Sequence, residues 1–242
     1  MKRILSTLAQ KWPEYLLEIL VLIIGIYGAF ALENWNEDNR IKKRTEKLLY
    51  ALKEEHLENS QQLIRGIAMH ELVEKTSYEL IRLIHLNEEA PDDTLRSLIG
   101  KTSWVFTFDP INSTLNSAIT SGEIHFIEDE LLKKELLSWI DQSKDAQEEE
   151  IIGLEYFYNV MYPKMHQYIM ESEILHFYHH SLPTSSRYKS DYKSLIYTRD
   201  FENIITARYE QTLEILKEMR PIYAKNKLIL ELIDQSLANM QK

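Results

Sequence analysis

Glu173-Ile174-Leu175-His176 sets a carboxylate and an imidazole one helical turn apart. That Glu-x-x-His spacing is the one by which helical bundles hold a carboxylate-bridged pair of metal ions. Such a centre takes two of these motifs and two further inward glutamates, and the chain has no second Glu-x-x-His. Glu173 and His176, with His179 and His180 close by, are therefore metal candidates set against a plainer reading, surface histidines near a helix end. His70-Glu71 lacks the second histidine of a zinc-protease helix. His56, beside Glu54 and Glu55, is expected in solvent. Tyr156, Phe157, Tyr158, Tyr162 and Tyr168 crowd one predicted helix. They could line a ligand pocket, or form a core edge with their hydroxyls reaching water. No Gly-rich phosphate loop, nucleophile elbow or Ser-His-Asp context occurs, so no catalytic residue and no cofactor is assigned.

Charge narrows the partners. A formal net charge of −10 argues against nucleic acid, whose phosphates need a basic face. Arg40, Lys42, Lys43 and Arg44 form the one basic cluster, with Glu37, Asp38 and Glu46 interleaved. It reads as a solvated stretch of helix, able to touch anionic headgroups only from the cytoplasmic side. The chain has no cysteine, which excludes disulfides and thiolate metal sites.

The element that positions everything else is the run 15–32, YLLEILVLIIGIYGAFAL, whose one charge is Glu18. As a helix it is roughly 27 Å long, close to the apolar thickness of a bilayer. Trp12 and Tyr15 flank one end and Trp35 the other, as interfacial anchors do. Gly28, Ala29 and Ala31 supply the small residues of a signal-peptide cleavage site, the rival reading. The run is long for a signal core and continues without a helix breaker, so an uncleaved anchor is expected. Glu18 lies three residues inside Tyr15, which favours an interfacial or helix-packing role over proton transfer. Gly25 and Ala29 stand four apart, a small-xxx-small face that permits close approach of two spans.

The remaining composition is helix-forming, with only six glycines and six prolines. The expected architecture is all-α: a basic tail over 1–14, a transmembrane helix over 15–32 and a helical bundle over 33–242. Within the bundle the pattern predicts a long helix over 33–86, with Gly66 a possible break point. Irregular and short helices follow over 87–127, with one short extended segment near 103–109. Asp92 or Asp93 is expected to cap one short helix and Ser113 another, the latter ending at Gly122. Further helices are predicted over 128–177, kinked at Pro163, and over 199–240, with Pro221 a second kink point, joined by a loop over 178–198.

Glu18-Ile19, Ile24-Gly25-Ile26, Ala29 and Asn34-Trp35-Asn36-Glu37 stand at spacings that resemble an uncharacterised family of bacterial membrane proteins, a domain of unknown function. A second likeness runs through Ser113-Thr114, Ser121-Gly122, Ile127, Leu131 and Leu136, with Leu115 where that family often has an aromatic residue. The resemblance covers about 20–60 and 113–137. It implies a bacterial inner-membrane protein with one span and a helical domain outside the cytoplasm, and it implies no activity. The Lys and Arg count alone points the other way, since the flank after the run is the more basic. Long domains translocate largely regardless of charge, so a periplasmic domain is expected.

The function expected is a non-enzymatic, membrane-anchored helical scaffold. Its partners would be the lipid bilayer and either a second copy or another membrane protein. The alternatives are a ligand-sensing helical domain that signals through a partner, and a metal-dependent enzyme built on Glu173 and His176.

Overall fold

The computed structural model describes residues 2–179 and 187–240, with side chains for Trp12, 16–175 and 187–240. Helix α1, Lys2–Leu86, is one unbroken rod of 85 residues, roughly 130 Å long. It contains the whole apolar run and continues straight into the bundle. Gly66 does not break it. A Cβ at Gly66 would lie 2.6 Å from Met219 Cε and 2.6 Å from Phe106 Cε1. The glycine is therefore a point of close packing rather than a hinge.

The other helices are α2 (Asp92–Thr102), α3 (Ser113–Ser121), α4 (Glu130–Tyr156), α5 (Tyr162–Met165), α6 (Glu171–His179), α7 (Tyr192–Ile196) and α8 (Arg199–Met240). A 3₁₀ turn spans Glu123–Phe126 and a π turn spans Phe157–Met161. Among the described residues there is no strand. The fold is all-α, as the composition implies.

Three long helices form the frame. Lys53 pairs with Asp234 at 2.6 Å, Arg220 with Glu71 at 2.9 Å and His85 with Glu202 at 3.1 Å, so α8 runs antiparallel to α1. Trp139 packs edge-on to His56 at 5.0 Å between centroids, and Glu150 lies 3.6 Å from His70, so α4 runs parallel to α1. Buried side chains gather in two apolar clusters. Leu52, Leu63, Leu136, Trp139 and Ile229 belong to the one nearer the apolar run. Leu80, Ile99, Phe157, Phe201 and Ile205 belong to the distal one.

Beside this frame residues 103–112 run without regular secondary structure. Ser103 (φ −83°, ψ −5°) and Asn112 (ψ 17°) at the two ends are not extended, so the extended segment expected near 103–109 is at most the middle part. Only Phe108 of this irregular segment is buried, and backbone groups along it take donors and acceptors from side chains. Arg208 Nε and Nη2 donate to the carbonyls of Thr102 (3.3 Å) and Trp104 (2.7 Å). The Phe108 N–H donates to Glu150 Oε2 at 2.6 Å, and Gln147 Nε2 donates to the Phe108 carbonyl at 3.0 Å. The Asn59 amide closes both backbone groups of Ile111, each at 2.8 Å.

Capping departs from local expectation in the same way. Ser113 is the first residue of α3, not its cap. The α3 amides of Thr114 and Leu115 donate instead to the Glu55 carboxylate of α1, at 2.6 and 3.1 Å. Pro91, not Asp92 or Asp93, precedes α2, and the two acids occupy its first turn. Asp129 caps α4 by accepting from Leu131 and Leu132, and Gly122 ends α3 with φ of 77°. The stretch 128–177 is not a single helix. The π turn comes directly before Pro163, and there the Tyr162 N–H reaches back to the Phe157 carbonyl. The five-residue spacing widens the helix where proline would clash with a regular turn. Pro221, by contrast, sits within α8 on its exposed face and does not interrupt it.

Candidate functional site

Two regions carry features that could do work: the apolar run at one end of α1 and a cleft near its other end. Residues 16–35 pack against nothing in the fold; Leu22, Ile23, Ile24 and Ile26 are all exposed. Leu16 onwards is the one helix among the described residues long and apolar enough to cross a membrane, with mean hydropathy 2.1 over its best window. Glu18, Leu22, Gly25, Ala29 and Asn36 follow a spacing of fours, threes and sevens, so they share one stripe of α1. The branched and aromatic side chains Ile23, Ile24, Tyr27 and Phe30 lie on other faces. Gly28 falls off the stripe by roughly a quarter turn. A Cβ at Gly25 or Gly28 would meet nothing within 4 Å.

Arg40, Lys42, Lys43 and Arg44 lie about 12–18 Å beyond Leu32 along the helix axis and are all exposed. Arg40 pairs with Glu37 at 3.2 Å. Successive positions spread these charges around α1 rather than onto one face. Trp35 is exposed, as is Trp12.

The cleft, about 580 Å³, lies about 50 Å beyond Trp35, between α1, the end of α2, the start of the segment 103–112 and α5–α6. Met69, Trp104, Val105, Met165, Ile169 and Ile174 give it an apolar wall. Tyr162, His166 and Glu171 form a polar group at its edge. The Tyr162 hydroxyl donates to Glu171 Oε2 at 2.6 Å, and His166 Nε2 lies 3.2 Å from the same oxygen. The two rings stand 3.9 Å apart between centroids. The hydrogen bond to the Glu171 carboxylate pushes the Tyr162 phenol up to about 12. Of the predicted tyrosine cluster, only Tyr162 lines this cleft. Phe157 is core, Tyr158 is exposed, and Tyr168 lies under Lys164 Nζ at 5.5 Å.

The metal motif of Glu173 and His176 lies only in part within the described residues. Glu173 accepts a hydrogen bond from the Tyr192 hydroxyl at 3.1 Å. The side chains of His176 and His179, and all of His180, lie outside the described residues. Among the described residues no three His, Asp or Glu side chains converge as metal ligands.

Two histidines differ from their sequence reading. His56 is fully buried rather than solvated. Its Nδ1 lies 2.7 Å from Asn226 Oδ1, while Asn226 Nδ2 donates to the His56 carbonyl at 2.9 Å. That arrangement puts the proton on Nδ1. Burial lowers the His56 pKa below its ordinary value. His70 is also buried; its Nε2 lies 3.6 Å from Glu150 Oε1, too long for a hydrogen bond. Burial likewise lowers Arg208, to about 10, which leaves it charged at neutral pH. No local signal marks these positions; apolar residues three and four away on the same face are the nearest thing to one.

No family model, curated protein or solved structure matches the chain.

Proposed function

We propose that this chain is a membrane-anchored helical interaction protein, held by one span and presenting a helical bundle close to the bilayer. The observation that carries the reading is the continuity of α1: one rod contains both the fully exposed apolar run and the helix on which the bundle is built. Exposing so many large apolar side chains to water is costly, at about 25 cal/mol per Å². Lipid, or a partner's span, removes that cost. The mechanism is tethering: the span fixes location, and the stripe of Glu18, Gly25 and Ala29 offers a face to a second span. The family resemblance of the N-terminal region supports an inner-membrane location with the bundle in the periplasm.

A topology map tests this. A reporter fused after Lys242 is expected to be active on the periplasmic side, and the protein to resist alkaline extraction from membranes. Activity of the reporter in the cytoplasm overturns the orientation. Release of intact full-length chain into the soluble fraction overturns the anchor.

One observation favours a second reading, a ligand-sensing domain that signals through a partner. The cleft beside the π turn has the size and apolar character of small-molecule sites, and π turns recur at functional sites.

A further inference from the structure

The chemistry of the cleft narrows what it can accept. Its wall is apolar, so a ligand that fills it buries carbon. The residues lining it include one carboxylate, Glu171, and neither Lys nor Arg. Lys164, next to Met165 in sequence, is held at 2.9 Å by Asp200 of α8, while Lys101 stands between Gly100 and Ser103 but does not line the cleft. Tyr162 and His166 both address Oε2 of Glu171, which leaves Oε1 to accept from something else. Trp104 and Tyr162 supply aromatic surfaces of the kind that attract cations. The whole chain carries −10, so the mean field also draws cations. Among the described residues an anion would meet the Glu171 carboxylate with only the imidazole of His166 beside it, and a bare metal ion would find too few ligands. Bilayer lipid is too far away along α1 to be the occupant.

We propose that this cleft binds a hydrophobic organic amine, with its carbon body against Met69, Val105 and Ile174 and its ammonium group donating to Glu171. This assignment rests on the sensing reading and names the ligand class for it.

The test uses the full chain in lipid nanodiscs and three water-soluble probes of matched shape: 4-phenylbutylammonium, 4-phenylbutanol and 4-phenylbutyrate. Isothermal titration is expected to show the ammonium binding about tenfold tighter than the alcohol, and the carboxylate weakest. Glu171→Gln is expected to erase the preference for the cation, and Ile174→Lys to abolish binding of all three. Unchanged thermal melting shows that both variants fold. If a variant melts early, competition between the three probes on the unaltered protein decides the charge preference instead. Equal affinities for ammonium and alcohol, both lost in Ile174→Lys, overturn the amine assignment and leave a ligand cleft standing. No binding of any probe, or binding that ignores Ile174→Lys, overturns the sensing reading as well.

Discussion

Gly66 is a residue whose role is set by contact rather than by conformation. Replacing it with alanine improves helix propensity by about 1 kcal/mol. The new methyl would sit 2.6 Å from both Met219 and Phe106. Overpacking of that kind costs about 1–3 kcal/mol, and Phe106 belongs to the segment 103–112, pinned on both sides. Gly66→Ala is therefore expected to lower stability by up to about 2 kcal/mol in chemical denaturation. Gly25→Ala, which meets nothing, leaves the bundle's transition unchanged.

His56 yields a pH prediction. The unfolded chain binds a proton at the ordinary value of 6.5, while the folded chain, with its pKa lowered by burial, does not. Stability from this group is complete above 6.5 and is lost as pH falls from there toward the depressed folded value. The slope approaches about 1.4 kcal/mol per pH unit. His56→Gln is expected to flatten that part of the stability curve, read from denaturation midpoints between pH 7 and 5.

At the scale of elements, α1 joins an unpacked apolar run and a bundle helix in one rod. In its apolar run the informative feature is that Glu18, Gly25, Ala29 and Asn36 share one stripe with Leu22 and Leu32, while the β-branched and aromatic residues Ile23, Ile24, Tyr27 and Phe30 face elsewhere. A span interface needs small residues for close approach, and a carboxylate in lipid favours a site facing protein. The double variant Gly25→Leu and Ala29→Leu is expected to weaken self-association or partner capture in detergent by about tenfold. The same pair placed at Ile23 and Phe30, as leucines, should have little effect. The irregular segment 103–112 is the other unusual element. It lies along the frame because Asn59, Gln147, Glu150 and Arg208 each supply a hydrogen bond that a helix would have made internally. This accounts for three of the buried polar side chains, Asn59, Glu150 and Arg208.

Across the whole molecule, the apolar core is divided. Leu63 and Ile215 close the cluster nearer the apolar run, Leu80 and Ile205 open the distal one, and between them lie His70, Glu150, Arg208 and Thr212. Each is almost wholly buried; Glu150 and Arg208 bond the backbone of Phe108, Thr102 and Trp104, so sliding α4 or α8 would leave those two charged groups unpaired. The distal cleft lies beside these buried polar residues, where Arg208 holds the start of the segment 103–112.

The sequence by itself determined the all-α class, the one long apolar run and the Gly122 terminus of α3. These are local properties, set by the composition and order of neighbouring residues. Only the tertiary structure decided which polar residues are interior, because their partners are remote: His56 meets Asn226 across 170 positions and Arg208 meets Thr102 across 106. Local pattern treats a histidine beside two glutamates as solvent-facing, and only the packing of α8 against α1 buries it. The cleft was equally hidden. It exists where the end of α2, the segment after it and the joint of α5 and α6 meet the side of α1, and such a meeting of remote segments leaves no periodicity to read.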